Sequence, residues 1–112
     1  MSPYVHDTSK LVQFSEEKYR KINLYESHRM FCDIWCLLPG QGQRTHVHND
    51  EDKVYYAISG TCEVLVGDET VPLPPGHAAT IPAGVMHGIT NTSNEPATVL
   101  TFMGPHPKLR KD

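Results

Sequence analysis

Short apolar runs separated by proline and glycine are the feature that most constrains the fold of this chain. The sequence has 112 residues, of which nine are proline and eight are glycine. From residue 23 onwards, strand-like runs recur about every eight to twelve residues, a spacing typical of β-sandwiches and barrels. A chain of this length buries roughly two-thirds of its unfolded surface, enough for one domain and too little for two. We therefore predict a single all-β domain.

The predicted strands cover residues 30–38, 44–48, 53–58, 62–66, 70–73, 78–81, 87–90 and 97–102. Gly67-Asp68 predicts a hairpin turn between two of them. Residues 1–22 are polar, and the stretch beginning at Ser15 fits either a short capped helix or a loose N-terminal strand. The predicted organisation is a polar segment over 1–22, a barrel over 23–104 and a tail over 105–112.

The charge and the apolar runs exclude several classes of partner. A formal net charge of −3 and a pI near 6.1 give no electrostatic basis for binding nucleic acid or an anionic membrane surface. The longest apolar stretch, Phe31 to Leu38, is interrupted by Asp33 and is too short to cross a bilayer. The N-terminus lacks the basic head and apolar body of a secretory signal. Three cysteines, an odd number, suit a reducing compartment, so we expect a cytoplasmic protein.

Three histidines have the spacing of metal ligands. His46 and His48 lie two apart on a predicted strand, so their side chains point to the same face, roughly 7 Å apart. His87, from a distant strand, could complete a site of three nitrogen atoms with open coordination positions. Imidazole ligands do not discriminate between iron, manganese, nickel, copper and zinc, so the predicted cofactor is a divalent transition metal. The alternative is three interior histidines that are satisfied by hydrogen bonds or water.

Around these histidines, the sequence resembles the cupin superfamily. That family's first motif is G-x5-H-x-H-x(3,4)-E-x6-G, and Gly40, His46, His48 and Gly60 fit it. Its second motif is G-x5-P-x-G-x2-H-x3-N, which is matched at every fixed place by Gly76, Pro82, Gly84, His87 and Asn91. The resemblance implies a double-stranded β-helix, or jelly-roll-like barrel, of two antiparallel sheets with a pocket at one end. It also implies that His46, His48 and His87 are metal ligands in that pocket.

The sequence departs from the family at the fourth ligand. Counting back from Gly60 puts Lys53 where the family usually has glutamate, whereas the shorter spacing from His48 gives Asp52. Strand alternation favours Lys53 as the inward residue, together with Tyr55 and Ala57, although a bulge could turn Asp52 inward. A charged ammonium about 4 Å from a divalent ion would be repelled by roughly 8 kcal/mol at an effective dielectric constant of about 20. Lys53 is therefore predicted to be neutral or to hold its charge away from the ion, ready for an anionic ligand.

Further residues are candidates for roles in the pocket or for places in the core. Lys53 and Tyr55 are candidate proton carriers, and Lys53 and Arg44 are candidate substrate contacts, since Arg44 shares the parity of His46 and His48. The alternatives are a solvated Lys53 paired with residues 50–52, a Tyr55 that only packs, and a surface Arg44. Trp35 is predicted to be core. The histidines outside the motifs are predicted to face solvent: His6, His28 and His106.

Two functions remain open from the sequence. The first is a metal-dependent enzyme that acts on a small anionic or oxygen-rich molecule, either as a dioxygenase or as an isomerase or lyase. The second is a non-catalytic module that binds a sugar or an organic acid without a specific metal, and the missing glutamate favours it. One fold hosts many activities, so membership alone does not choose between them. A homodimer is expected in either case, because the apolar face of such a barrel commonly pairs with a second copy.

Overall fold

The computed structural model describes residues 2–106, and within that range the chain is built from antiparallel strands. A single turn of 3-10 helix, Thr8–Lys10, precedes them. The strands are β1 Arg20–Glu26, β2 Phe31–Leu37, β3 Gly42–His46, β4 Asp52–Ser59, β5 Cys62–Val66, β6 Glu69–Leu73, β7 Ala78–Ile81, β8 His87–Thr90 and β9 Ala97–Gly104. No helix of this part of the chain has the length and apolar character needed to cross a membrane.

The strands form two sheets that face each other. The larger sheet has the order β1-β2-β9-β4-β7, and the smaller has the order β3-β8-β5-β6. Every pairing is antiparallel. This is the double-stranded β-helix of two antiparallel sheets that the sequence predicts, and the all-β prediction is confirmed.

Alternation along the strands of the larger sheet places one set of side chains between the two sheets. Lys53, Tyr55 and Ala57 of β4 are buried, whereas Asp52 and Tyr56 are exposed. Trp35 pairs with Val99 across β2 and β9, and both side chains belong to the central cluster. The smaller sheet contributes to the same cluster from β5, β6 and β8: Cys62, Val64, Leu73 and Ile89. The core therefore fills the space between the sheets, as strand alternation requires.

Two local predictions differ from the structure. Residues 12–19 form neither helix nor strand, so the capped-helix alternative at Ser15 is wrong, and the barrel begins at Arg20, within the segment predicted as polar and peripheral. The strand predicted at 44–48 runs instead from Gly42 to His46, which leaves His48 beyond its end. The predicted tail, 105–112, lies mostly outside the described residues.

Asn91 joins the two sequence motifs. Its buried side-chain amide donates to the carbonyl oxygens of Leu37 and Glu95 at 3.0 and 2.8 Å. Its backbone carbonyl accepts a 2.7 Å hydrogen bond from the amide of Gly40, and its own N–H donates to Gln41 at 2.8 Å. Asn91 therefore anchors the turn that leads into β3 to the end of β8. Its role is to position strands, because each of these hydrogen bonds joins Asn91 to a backbone group of the chain.

Gly60 is a position where the backbone permits no side chain. Its φ is +72°, and a Cβ there would lie 2.5 Å from the carbonyl oxygen of Pro96. Gly67 has a similar φ of +66° but open space around it.

Gly67→Ala should cost roughly 1–2 kcal/mol of unfolding free energy through the left-handed conformation alone. Gly60→Ala should cost a further 1–3 kcal/mol, roughly, through the clash. Urea unfolding of both variants tests this, and equal losses would contradict it.

Candidate metal and ligand site

His46 and His87 face each other across neighbouring strands. They are direct partners in the pairing of β3 with β8, and their ring centroids lie 4.3 Å apart. Both rings are fixed by the backbone: Nδ1 of His46 donates to the carbonyl of Arg44 at 2.7 Å, and Nδ1 of His87 donates to that of Val85 at 3.0 Å. Because a carbonyl can only accept, Nδ1 carries the hydrogen and Nε2 presents its lone pair.

These two Nε2 atoms are buried, and neither has a hydrogen-bond partner among the described residues. Burying an acceptor without a partner costs free energy, so such atoms call for an explanation. A ring held by an Nδ1–H to carbonyl bond with its Nε2 free is the usual arrangement of a metal-binding histidine. The residues therefore fit a metal ion.

His48 completes the cluster from the loop that follows β3. Its carbonyl accepts a 2.8 Å hydrogen bond from the amide of Gly84, which ties this loop to the turn before β8. Its Nδ1 lies 3.6 Å from the buried carboxylate of Glu51. One ring nitrogen each from His46, His48 and His87 can be chosen so that all three lie within 4.8 Å of one another. The three histidines that the spacing predicts thus converge, although strand alternation is not what aligns His48.

The electrostatic environment keeps the three rings neutral. Burial lowers the pKa of His87 to about 4, and the nearby charge of Lys53 adds to the effect. Burial and Lys53 also lower the pKa of His46 and of His48. Neutral imidazole is the form that binds metal, so the site needs little proton release at neutral pH.

Lys53, and not Asp52, faces the interior. Lys53 is only 3% exposed, and its Nζ lies 3.4 Å both from Oε1 of Gln43 and from the hydroxyl of Tyr55. Asp52 is exposed and accepts a 3.0 Å hydrogen bond from the amide of Ala83. Burial, with a contribution from the charge of Lys21, lowers the pKa of Lys53 to about 8. Both protonation states of Lys53 are therefore accessible near neutral pH.

Tyr55 is fully buried between the core and the site. Its ring packs edge-on against Trp35 at 5.7 Å and lies 6.3 Å from the ring of His87. Burial raises the pKa of its phenol, so the hydroxyl stays protonated. Tyr55 thus belongs to the core through its ring and to the site through its hydroxyl.

Arg44 does not reach the cavity that Lys53 lines. Gln43 pairs with Ile89 and His46 with His87, so β3 has one more residue than β8 over this interval. That bulge breaks the alternation on which the prediction for Arg44 rests. Arg44 is exposed, and Gln43 lines the cavity instead.

A cavity of about 350 Å³ opens beside the histidines, within the range of small-ligand pockets. Besides His48, Lys53 and Gln43, it is lined by residues of β1, β2, β9 and the C-terminal end of the barrel: Lys21, Asn23, Glu26, Phe31, Asp33, Trp35, Met103 and His106. Sequence analysis missed the charged members of this set. The parity of Asp33 with Trp35 on β2 could have revealed one of them, but Lys21 and Asn23 depend on recognising β1.

His106 is not a solvent residue as predicted. It is 3% exposed, its ring meets Phe31 edge-on at 5.4 Å, and its Nε2 contacts the carboxylate of Glu26. His106 therefore packs against the ends of β1 and β2. His6 and His28 are exposed, as expected.

Replacing Lys53 with methionine should stabilise the metal-free protein. A buried ammonium whose pKa falls from 10.5 to about 8 costs up to about 3 kcal/mol, less what the hydrogen bonds to Gln43 and Tyr55 return. Because the folded-state pKa is the lower one, wild-type stability should rise between pH 8 and 10.5, whereas Lys53→Met should lack that rise. Urea unfolding across this pH range measures both, with the exposed Lys10→Met as control. A less stable Lys53→Met would contradict the assigned burial cost.

Comparison with known proteins agrees with this architecture. A crystal structure of TT1209 from Thermus thermophilus superimposes with a TM-score of 0.89 and 46% identity, over 92% of this chain and 98% of that one. A Klebsiella pneumoniae protein with a double-stranded β-helix domain superimposes with a TM-score of 0.85 over 95% of this chain and 93% of its own; at 23% identity it supports the fold alone.

Among curated proteins, the tetracenomycin polyketide synthase protein TcmJ of Streptomyces glaucescens is 36% identical over 76 residues. The match covers 65% of this chain, and the chain spans about half of the length of TcmJ, 51%. Residues 33–103 match the Cupin domain family, a range that holds both motifs and all three histidines. The chain therefore belongs to the cupin family.

Proposed function

We propose that this protein is a metal-dependent cupin enzyme that acts on a small anionic or oxygen-rich molecule. The observation that carries the proposal is the pair of buried, unpartnered Nε2 atoms of His46 and His87, with both rings already fixed through Nδ1. His46, His48 and His87 would hold a divalent transition metal such as iron, manganese, nickel, copper or zinc. When bound, such an ion supplies Lewis acidity or, if it is iron, oxygen activation.

The residues beside the histidines suit proton transfer. Lys53 has a pKa of about 8 and can carry a proton at Nζ, which suits a general acid or base near neutral pH. The hydroxyl of Tyr55, held 3.4 Å from Nζ, stays protonated and can donate a hydrogen bond to a substrate oxygen. Enolisation, which leads to isomerisation or β-elimination, would use Lys53 to move the proton and Tyr55 to hold the substrate oxygen. Dioxygenase chemistry would depend first on the metal site.

The names of relatives add limited support. TcmJ is described as a polyketide synthase protein, as is CurC of Streptomyces cyaneus, which is 27% identical over 75 residues. Polyketides are rich in carbonyl and enol oxygens, the groups that a Lewis acid beside a proton carrier would act on. These names therefore support a small oxygen-rich molecule as the substrate.

Elemental analysis of tag-free protein tests the metal site. We expect close to one transition-metal ion per chain in the wild type and a loss of most of it in His46→Ala/His87→Ala, since two of three ligands are removed. Lys53→Glu should bind the same metal about tenfold more tightly or better in a chelator competition, because a carboxylate replaces a cation. Lys10→Met is the control.

The non-catalytic binding module is the competing function. Little metal in either protein after reconstitution would overturn the enzyme proposal and favour that module. An unchanged affinity in Lys53→Glu, with metal present, would show that residue 53 does not act on the ion.

We also propose a homodimer in a reducing, cytoplasmic setting. Cys32, Cys36 and Cys62 are all buried as free thiols, which suits such a setting. Tyr25 and Tyr56 are partly exposed on the larger sheet, at 57% and 40%, and offer apolar surface for a second copy. Sedimentation velocity at micromolar concentration should give twice the chain mass of 12.6 kDa. A single species of 12.6 kDa would contradict the dimer.

A further inference from the structure

Two lysines from distant strands approach the same indole ring. Nζ of Lys21, on β1, lies 5.0 Å from the ring centroid of Trp35, and Nζ of Lys53, on β4, lies 5.2 Å from it. Lys21 is the direct partner of Trp35 in the pairing of β1 with β2, whereas Lys53 reaches the ring from β4, beyond β9 in the sheet. The indole face attracts each ammonium, but the two like charges repel each other. The repulsion shows in Lys53, whose pKa the charge of Lys21 lowers further.

Neither lysine has a carboxylate partner within 4.0 Å among residues 2–106. Lys53 directs two long hydrogen bonds to neutral oxygens, which leaves one of its three N–H groups for another acceptor. The Nε1–H of Trp35 is a third donor: the residue is 2% exposed, it lines the cavity, and Nε1 has no acceptor in the described part of the chain. Lys53 and Trp35 are buried, and buried donors without acceptors are costly, whereas Lys21 is exposed. An anionic oxygen group would satisfy the two buried donors and pair with the ammonium of Lys21.

We infer that Lys21, Lys53 and Trp35 form a carboxylate-binding subsite, and that the ligand of this cavity is a small hydroxylated organic acid. The inference deepens the proposed function, because it names a substrate class for the cavity beside the three histidines, and it rests on that proposal only for the reaction. The binding itself requires no metal.

Asp33, on the same strand as Trp35, specifies the hydroxyl groups of the ligand. Asp33 lies on β2 two residues before Trp35, and one of its carboxylate oxygens accepts a 2.9 Å hydrogen bond from the amide of Asn23. A carboxylate has further lone pairs, and hydroxyl groups are donors that can use them. Asp33 also repels an anionic head, so the carboxylate of the ligand is directed to the lysines and its hydroxyl groups to Asp33.

Trp35 provides a fluorescence probe of the cavity, because it is the only tryptophan of the chain. Its fluorescence can be titrated with sodium D-gluconate in metal-free full-length protein at constant ionic strength. Sorbitol, which lacks the carboxylate, and hexanoate, which lacks the hydroxyl groups, are the matched comparison ligands. Inorganic phosphate serves as the comparison anion. Lys21→Met, Lys53→Met and Asp33→Asn are the test variants, and Lys10→Met is the control, with circular dichroism to confirm folding.

We expect a saturable fluorescence change with gluconate, weakened about tenfold or more in each lysine variant and unchanged in Lys10→Met, since a hydrogen bond to a charged group carries about that factor. Sorbitol should give no change, and hexanoate and phosphate should bind several-fold more weakly than gluconate. Asp33→Asn should narrow the difference between gluconate and hexanoate, because it removes both an acceptor for the hydroxyl groups and a charge that repels the carboxylate. Absence of saturable gluconate binding, or equal affinity in folded lysine variants, would overturn the subsite. Hexanoate or phosphate binding as tightly as gluconate would overturn the hydroxy-acid assignment.

The metal and gluconate measurements separate the two proposals. Gluconate binding without any metal site would overturn the proposed enzyme and leave this inference standing. A metal site without gluconate binding would overturn this inference and leave the proposed enzyme standing.

Discussion

The pairing of β3 with β8 is the constraint on which the site depends. It places His46 directly opposite His87, and it contains a one-residue bulge between Gln43 and His46. The bulge turns Gln43 towards the cavity and leaves Arg44 exposed. The chain then leaves the strand, and the amide of Gly84 holds the carbonyl of His48. Backbone hydrogen bonds to both Nδ1 atoms aim the remaining nitrogens at one point. A site built on backbone geometry in this way is pre-organised before any metal arrives.

The burial of Lys53 lowers the stability of the folded protein at this site. An apolar residue at its position would pack against Trp35 and Tyr55 at no electrostatic cost, yet the chain buries an ammonium that has only neutral hydrogen-bond partners. Departures from the usual rules of burial concentrate at functional sites. Here the departure also removes the carboxylate that would have neutralised a metal ion. The ammonium of Lys53 lies beside three neutral imidazoles, and this cation is the reason that both proposals point to an anionic ligand, in a cavity that also holds the carboxylates of Glu26 and Asp33.

The fold was largely predictable because strand alternation and turn chemistry are local. The strands from β4 to β9 lie within two residues of their predicted bounds, and the spacing of the two motifs identifies His46, His48 and His87 correctly as a cluster. The inward orientation of Lys53 follows from the same alternation, because the register of β4 is regular from Lys53 to Tyr56. Arg44 is exposed and does not share the orientation of His46 that its parity predicts, because the bulge in β3 has no mark in the sequence. The prediction that His106 faces solvent is wrong because its burial depends on a contact with Glu26, eighty residues earlier.

The sequence by itself determined the all-β class, the positions of the turns and the three histidines, because these follow from period-two alternation and from glycine and proline at fixed spacing. Only the tertiary structure decided which side chains share the cavity. Lys21 on β1 and Lys53 on β4 are 32 residues apart (53 minus 21), and nothing local relates them. They meet at Trp35 because β1 pairs Lys21 directly with Trp35 on β2, and because the order of the sheet brings β4 within reach of the same ring; that order is a property of long-range pairing. The topology of the sheet therefore decided which side chains surround the cavity of the proposed ligand, whereas the spacing of the motifs already marked the three histidines that we propose as metal ligands.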